Sequence, residues 1–191
     1  MFLVNDLIAL LAANLIFSQA LGTSTLFAAA SGRKDLVRTA VTITLFTTLG
    51  SLGAWGIDNI LPRPVKNYAS LLCYTVIIGI LYAGFLTLLY FMGIDKFRKY
   101  KKYVHISAFN CAVMGTLFTV SGRVADLHRT REPLYYLRGG LEAGIGFIIA
   151  SLILAAAYRK LTSDKVPEAF RGFPAMLIYL GIISMAVYAL N

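Results

Sequence analysis

The chain has few charged residues and few cysteines, and each shortage argues against one class of protein. Charged residues make up 14% of the 191 residues, whereas ordinary soluble domains have about 25%. Two cysteines, Cys73 and Cys111, are too few for a disulfide framework. The sequence also shows no phosphate-binding glycine loop, no cysteine pair at metal-binding spacing and no hydrolytic triad. We therefore expect that this chain binds no nucleotide or flavin and is not catalytic by itself.

Apolar residues are abundant instead, at 58% of the chain, and the mean hydropathy is +0.72. Several apolar runs are longer than roughly 18 residues, which is enough to cross a bilayer as a helix. The sequence therefore predicts an all-α integral membrane protein. The N-terminal run contains Asp6 and has no basic residue ahead of it, so we interpret it as a span and not as a signal peptide.

Glycine, proline and short clusters of charge divide the chain into apolar segments. We predict six transmembrane helices, at residues 2–30, 36–58, 68–93, 103–121, 134–158 and 173–190. No window between them is long enough for a separate soluble domain, so residues 1–191 are expected to form a single membrane domain. Tyrosines near the segment ends, among them Tyr74 and Tyr136, suit the membrane interfaces.

The net charge of +9 does not predict nucleic acid binding, because the basic residues lie in short clusters between apolar segments. The first, third and fifth loops hold two thirds of the 18 Lys and Arg residues, and the third, from Lys96 to Lys102, is the most basic. Basic loops remain in the cytoplasm. We therefore expect both termini outside, in a bacterial or archaeal cytoplasmic (inner) membrane.

Two segments of the chain resemble one another. Thr25–Thr39 and Thr116–Thr130 both contain Thr-Leu-Phe, Ser-Gly-Arg, Asp-Leu and Arg-Thr in that order, once a one-residue gap is allowed. Because three predicted spans separate the copies, they enter the membrane in opposite directions. This predicts two inverted three-helix repeats, about 1–93 and about 94–191, with a site near the midplane. The alternative is chance similarity among small and apolar residues.

Polar and glycine residues interrupt the first and fourth apolar segments. Gly22 is the best candidate in the first segment, and Asn110 with Gly115 in the fourth. A backbone freed from helix within a bilayer needs a partner in protein, water or ligand. Cys111, next to Asn110, could ligate a soft metal or an iron–sulfur cluster. The alternative is a small packing residue at a helix crossing.

Other polar residues near the spans have more ordinary interpretations. Glu142 follows Arg138 by four residues, so the two can form an ion pair along one helix face. Asp58 ends the second span, and an acidic residue within a span is a functional candidate. Cys73 is interpreted as a packing residue and His105 as a capping or interfacial one.

Four short segments, in order along nearly the whole chain, carry a resemblance to a known family. They are Ala54–Asp58, Asn110–Gly115, Gly139–Phe147 and Val166–Pro174. With these segments the chain resembles the Rnf/Nqr family of six-span membrane subunits. The resemblance implies membership of an Rnf-type complex that passes electrons from reduced ferredoxin to NAD and couples this to Na⁺ or H⁺ translocation. It also implies other membrane subunits as partners, especially a homologous six-span subunit of opposite orientation.

The resemblance further implies a [2Fe–2S] cluster shared with that partner, to which each subunit gives one Cys from each of its interrupted helices. One such Cys corresponds to Cys111, but Ser24 occupies the position of the other. A serine hydroxyl is a hard oxygen ligand and a poor substitute for thiolate at iron. The alternative function is therefore a cluster-free scaffold, or a small-solute transporter component like the six-span subunits of vitamin importers.

Overall fold

A computed structural model describes residues 15–23, 33–126 and 132–189. Every regular element in these ranges is a helix, which confirms the all-α class. The helices are α1 Leu15–Gln19, α2 Arg33–Ile60, α3 Arg63–Phe91, α4 Ile94–Ala108, α5 Cys111–Asp126, α6 Pro133–Leu161 and α7 Phe173–Tyr188.

Three of these helices, α2, α3 and α6, are long and apolar enough to cross a membrane. The pair α4 and α5 passes the same test as one span with a 48° bend at its break. Helix α7 is apolar but has only 16 residues, which corresponds to a length of about 24 Å. The predicted span 2–30 lies mostly outside the described residues. The described part of the chain thus contains three to four candidate spans, and the total of six stays a prediction.

Helix α2 lies at the centre of the described structure, with α3, α4, α5 and α6 packed around it. Its buried side chains recur every three or four residues, as a helix with one inward face requires. They are Leu36, Thr39, Ala40, Ile43, Phe46, Thr47, Ser51, Ala54 and Asp58. The exposed positions Val37, Val41, Leu45 and Leu49 are all apolar. This distribution, in which the outward face carries apolar side chains and the inward face also carries polar ones, suits a helix whose outer face contacts lipid.

Small residues set the contact between α2 and α6. Gly140 and Gly144 of α6 are four residues apart on one face and approach the backbone of α2 at Thr47 and Thr44. Because lipid tails are as apolar as the helices, close backbone packing rather than burial from water holds such a pair together. The Gly139–Phe147 segment thus provides the surface on which α6 packs against the central helix.

The basic segment from Lys96 to Lys102 is helical and not a loop, which corrects the sequence prediction. Only Met92 and Gly93 separate α3 from α4, and Gly93 has φ +118°, a conformation that favours glycine. The lysines and arginine lie on α4 with good intrinsic helix propensity. At the other end of that helix, the Tyr103 hydroxyl donates to Asp35 Oδ1 at 2.6 Å. This bond fixes α4 against the start of α2.

Candidate functional site

Two of the places where the described chain leaves helical geometry are in contact with each other. After α1, Ala20 and Gly22 have φ +55° and +82°. Between α4 and α5, Phe109 and Asn110 are not helical, and the helix axis turns by 48°. The Gly22 N–H donates to Cys111 Sγ at 2.9 Å, across 89 residues of sequence. We call residues 20–22 and 109–111 the break junction.

Asn110 directly precedes α5 and caps its N-terminus. Its side-chain Oδ1 accepts the Ala112 N–H at 2.9 Å, and its carbonyl accepts the Val113 N–H at 3.0 Å. The residue is only 2% exposed, so these bonds replace water for the first turn of the helix. The predicted interruption at Asn110 is confirmed. Gly115 lies within α5, and the prediction that it also interrupts the span is wrong.

Gly22 occupies a position that a larger residue does not fit. A Cβ at this position would lie 2.8 Å from Phe147 Cε2 and 3.0 Å from Ala112 Cβ. The left-handed φ of +82° adds a conformational cost for any residue with a side chain. The first break is therefore set by glycine both through its φ and through its contact with α5 and α6.

We expect Gly22→Ala to destabilise the full chain by about 2 kcal/mol, the sum of left-handed strain and crowding against Phe147. The measurement is thermal unfolding in detergent. Gly93→Ala is the matched control, because Gly93 also has a positive φ but nothing lies within 4 Å of its Cβ position. Equal losses in the two variants would contradict a role for close packing at Gly22.

The break junction presents one thiol at the surface of the chain. Cys111 is exposed even though its sulfur accepts the Gly22 N–H, and the neighbouring Phe109 is 64% exposed. Among residues 15–23, 33–126 and 132–189, no group of three His, Cys, Asp or Glu side chains could hold a metal ion. Three features predicted from the sequence lie outside the described residues: Asp6, Ser24 and the first part of the repeat copy, residues 25–32.

Cys73 is too far from the junction to be a second ligand there. It precedes Tyr74, whose hydroxyl oxygen lies 2.8 Å from Ser121 Oγ. Ser121 lies ten residues after Cys111 on α5, which corresponds to about 15 Å along a helix. The described residues therefore supply a single cysteine sulfur at the junction, and this donor set does not fit a cluster held by two cysteines of this chain.

A buried carboxylate joins four helices near the end of α2. Asp58 is 0% exposed, its Oδ1 accepts the Tyr74 hydroxyl at 2.9 Å, and its Oδ2 accepts those of Ser121 at 2.5 Å and Tyr136 at 2.6 Å. We call these four residues the Asp58 network. They come from α2, α3, α5 and α6, so the network holds these four helices in one arrangement.

Sequence reasoning marked Asp58 as a candidate but missed its partners. Tyr74 and Tyr136, predicted at the membrane interfaces, are 1% and 0% exposed. They lie 16 and 78 residues from Asp58, and Ser121 lies 63 residues away. No local pattern connects residues so far apart, although three hydroxyls in apolar helices are a hint that a buried acceptor is present.

A hydrogen-bonded pair of ring side chains, Tyr82 and His105, lies beside the break junction. The Tyr82 hydroxyl and His105 Nδ1 are 2.6 Å apart, joined by a hydrogen bond. The Tyr82 ring also lies 5.3 Å from that of Phe109, between ring centroids. His105, predicted to cap a helix or lie at an interface, thus connects α4 to α3 through a side chain.

Arg138 and Glu142 do not pair as their spacing predicted. In the part of the chain that the structure describes, no ion pair joins them, although both line one cavity with Arg123 of α5. Both side chains are exposed. The i,i+4 spacing makes such a contact available, but it contributes only a few tenths of a kcal/mol and does not enforce it.

These features define a class. The chain is a helical, multi-pass membrane protein. Its candidate site is formed by the turn after α1, the break between α4 and α5, and a buried carboxylate network. The chain belongs to the Rnf-Nqr family: the family model described as Rnf-Nqr subunit, membrane protein, matches residues 5–191. The family resemblance of the four short segments is thereby confirmed.

Three relatives of the chain are between 21% and 32% identical to it. The chain is 26% identical over 144 residues to the A-type subunit of the ion-translocating oxidoreductase complex of Azoarcus sp. strain BH72, covering 75% of this chain and 72% of that protein. It is 21% identical over 174 residues to the A-type subunit of the Na(+)-translocating ferredoxin:NAD(+) oxidoreductase complex of Acetobacterium woodii, covering 91% and 88%. A shorter match is to the E-type subunit of the Na(+)-translocating NADH-quinone reductase of Cellvibrio japonicus, which is 32% identical over 77 residues. It covers 40% of this chain and 35% of that protein.

Proposed function

We propose that this chain is the A-type subunit of an Rnf-type, ion-translocating ferredoxin:NAD oxidoreductase complex in the cytoplasmic membrane. The observation that carries the proposal is the break junction, where the turn after α1 meets the break between α4 and α5 at an exposed thiol in a chain of this family. The Asn110 cap and the left-handed turn at Gly22 hold this junction in place. The chain works together with other membrane subunits and is not catalytic by itself.

The proposal includes the six-span topology with two inverted repeats. The breaks lie near corresponding points of the two halves, about 1–93 and about 94–191, and their contact through Gly22 and Cys111 is what a site between inverted repeats requires. Both termini then face outside, as the distribution of basic residues predicts. The natural partner is a homologous subunit of opposite orientation, similar to the E-type subunit of such complexes. It would cover the exposed surface at Phe109 and Cys111.

At the junction, we propose that Cys111 is the one thiolate that this chain offers to a [2Fe–2S] cluster shared with that partner. Its exposure allows a ligand role toward a neighbouring subunit, and the Gly22 N–H bonded to its sulfur fixes the position of that sulfur. The remaining ligands must come from elsewhere, because Cys73 lies too far along the helices. Ser24 is the position at which the family places the second thiol.

The test is iron analysis and electron paramagnetic resonance of the purified complex carrying Cys111→Ser, Cys73→Ser or Ser24→Cys. We expect Cys111→Ser to remove the cluster signal, because serine is a poor ligand for iron. Cys73→Ser is the control and leaves the signal unchanged, whereas Ser24→Cys raises the iron content by supplying the second thiol. A normal four-cysteine cluster signal that survives Cys111→Ser would contradict the ligand role.

The second candidate is a cluster-free scaffold within the same complex, and the single thiol described at the junction favours it. In that case the complex assembles and transfers electrons equally well with Cys111→Ser. The importer alternative is not supported by the family match. Co-purification separates it further, because an importer would bring an ATPase pair, whereas an Rnf-type complex would bring a flavin-linked membrane protein.

A further inference from the structure

A cavity of about 220 Å³ opens between the end of α5 and the start of α6. Its lining residues are Val120, Arg123, Tyr135, Arg138, Gly139 and Glu142. The two helices touch at this level, since a Cβ on Gly139 would lie 2.7 Å from Val120 Cγ2. We call this cavity the α5–α6 pocket. It is separate from the break junction and from the carboxylate of Asp58.

The α5–α6 pocket contains three charged side chains. Within the described residues, Arg123, Arg138 and Glu142 have no hydrogen-bond or ion-pair partner, and all three side chains are exposed. Two guanidinium groups at one cavity favour a phosphate, because each presents a planar fork of N–H donors. The carboxylate of Glu142 beside them favours a cation on the same ligand.

An exposed apolar stripe continues from the pocket along α6. Ile145 and Leu152 follow Arg138 by seven and fourteen residues, so they lie on the same helix face. They are 45% and 46% exposed. Leu152 lies ten residues beyond Glu142, or about 15 Å along the helix, which is roughly half the thickness of the hydrocarbon core. The charged pocket at the helix end and the apolar stripe below it match the two parts of a lipid.

We propose that the α5–α6 pocket binds the headgroup of a phospholipid that carries both a phosphate and a primary ammonium group. Arg123 and Arg138 bind the phosphate, Glu142 binds the ammonium, and an acyl chain lies along Ile145 and Leu152. The carboxylate distinguishes this ligand from a purely anionic lipid, since such a lipid has the phosphate but no cation for Glu142 to bind.

The test is native mass spectrometry of the full chain in mild detergent, titrated separately with phosphatidylethanolamine, phosphatidylglycerol and inorganic phosphate. We expect wild type to prefer phosphatidylethanolamine, and Arg123→Gln/Arg138→Gln to lower its affinity about tenfold or more. Glu142→Gln is expected to abolish the preference over phosphatidylglycerol while phosphatidylglycerol still binds. The matched control is Arg98→Gln/Lys102→Gln, which removes the same charge from exposed positions of α4.

Several outcomes would overturn the proposal. An equal loss of affinity in the control pair indicates a general effect of charge. Displacement of the lipid by an equal concentration of inorganic phosphate indicates a free-anion site. If Glu142→Gln keeps the wild-type preference for phosphatidylethanolamine, Glu142 does not contact the ammonium group. This measurement decides the question even if the double arginine variant folds poorly. Loss of lipid on assembly with partner subunits would assign the pocket to a protein interface instead.

Discussion

Replacing Asp58 with alanine is expected to lower the stability of the full chain by about 3 kcal/mol, since it removes the acceptor of three hydroxyl groups at once. Tyr74, Ser121 and Tyr136 are buried and donate to the two carboxylate oxygens at 2.5 to 2.9 Å. In the apolar surroundings of a membrane helix, hydroxyls that lose their acceptor have no water to replace it. The effect therefore exceeds that of a single hydrogen bond.

Thermal unfolding in detergent measures this effect, and the expected decrease in Tm is roughly 10 °C. Tyr136→Phe removes one donor and leaves the other two, so its cost is expected to be about 1 kcal/mol. Asp95→Ala is the matched control, because Asp95 is an exposed carboxylate in the first turn of α4. If Asp58→Ala unfolds within about 2 °C of wild type, the Asp58 network does not hold the four helices together.

Replacing Gly140 with alanine is expected to separate the two most closely packed of the described helices, α2 and α6. A Cβ at Gly140 would lie 2.6 Å from the Thr47 backbone oxygen and 2.8 Å from Thr48 Cα. These neighbours are backbone atoms, so no side-chain rotation relieves the contact and α6 must move away from α2. We expect a loss of about 3 kcal/mol, at the upper end for overpacking.

Gly84→Ala is the control for this variant, because Gly84 lies within α3 and nothing stands within 4 Å of its Cβ position. Its expected effect is neutral or stabilising, since alanine is a better helix former than glycine. Thermal unfolding of both variants and of wild type in the same detergent gives the comparison. A Gly140→Ala protein as stable as Gly84→Ala would mean that α2 and α6 do not depend on close backbone packing.

The two variants also report on different parts of the architecture. Asp58 joins α2 to α3, α5 and α6 at one end of the central helix, whereas Gly140 acts along the contact of α2 with α6 alone. Since Gly140 lies one turn from Tyr136, the two sites are close enough to couple. The double variant Asp58→Ala/Gly140→Ala is therefore expected to lose less than the sum of the single losses.

The class of this protein and the places where its helices break could be predicted from the amino-acid pattern. Apolar runs of sufficient length predict membrane helices through length and composition alone, and α2, α3 and α6 match the predicted segments within a few residues. Asn110 and Gly22 marked the breaks because a polar side chain or a missing Cβ acts locally on the backbone. The four family segments identify the family in the same local way.

Which of these features meet one another depends on the packing of the helices and could not be predicted. Gly22 bonds Cys111 across 89 residues. Tyr74 and Tyr136 are buried around Asp58, and Arg138 shares a cavity with Glu142 and Arg123 without pairing. These contacts depend on how the helices rotate against one another. Spacing along the chain fixes which residues share a helix face, but it contains no information on which neighbouring helix that face will contact.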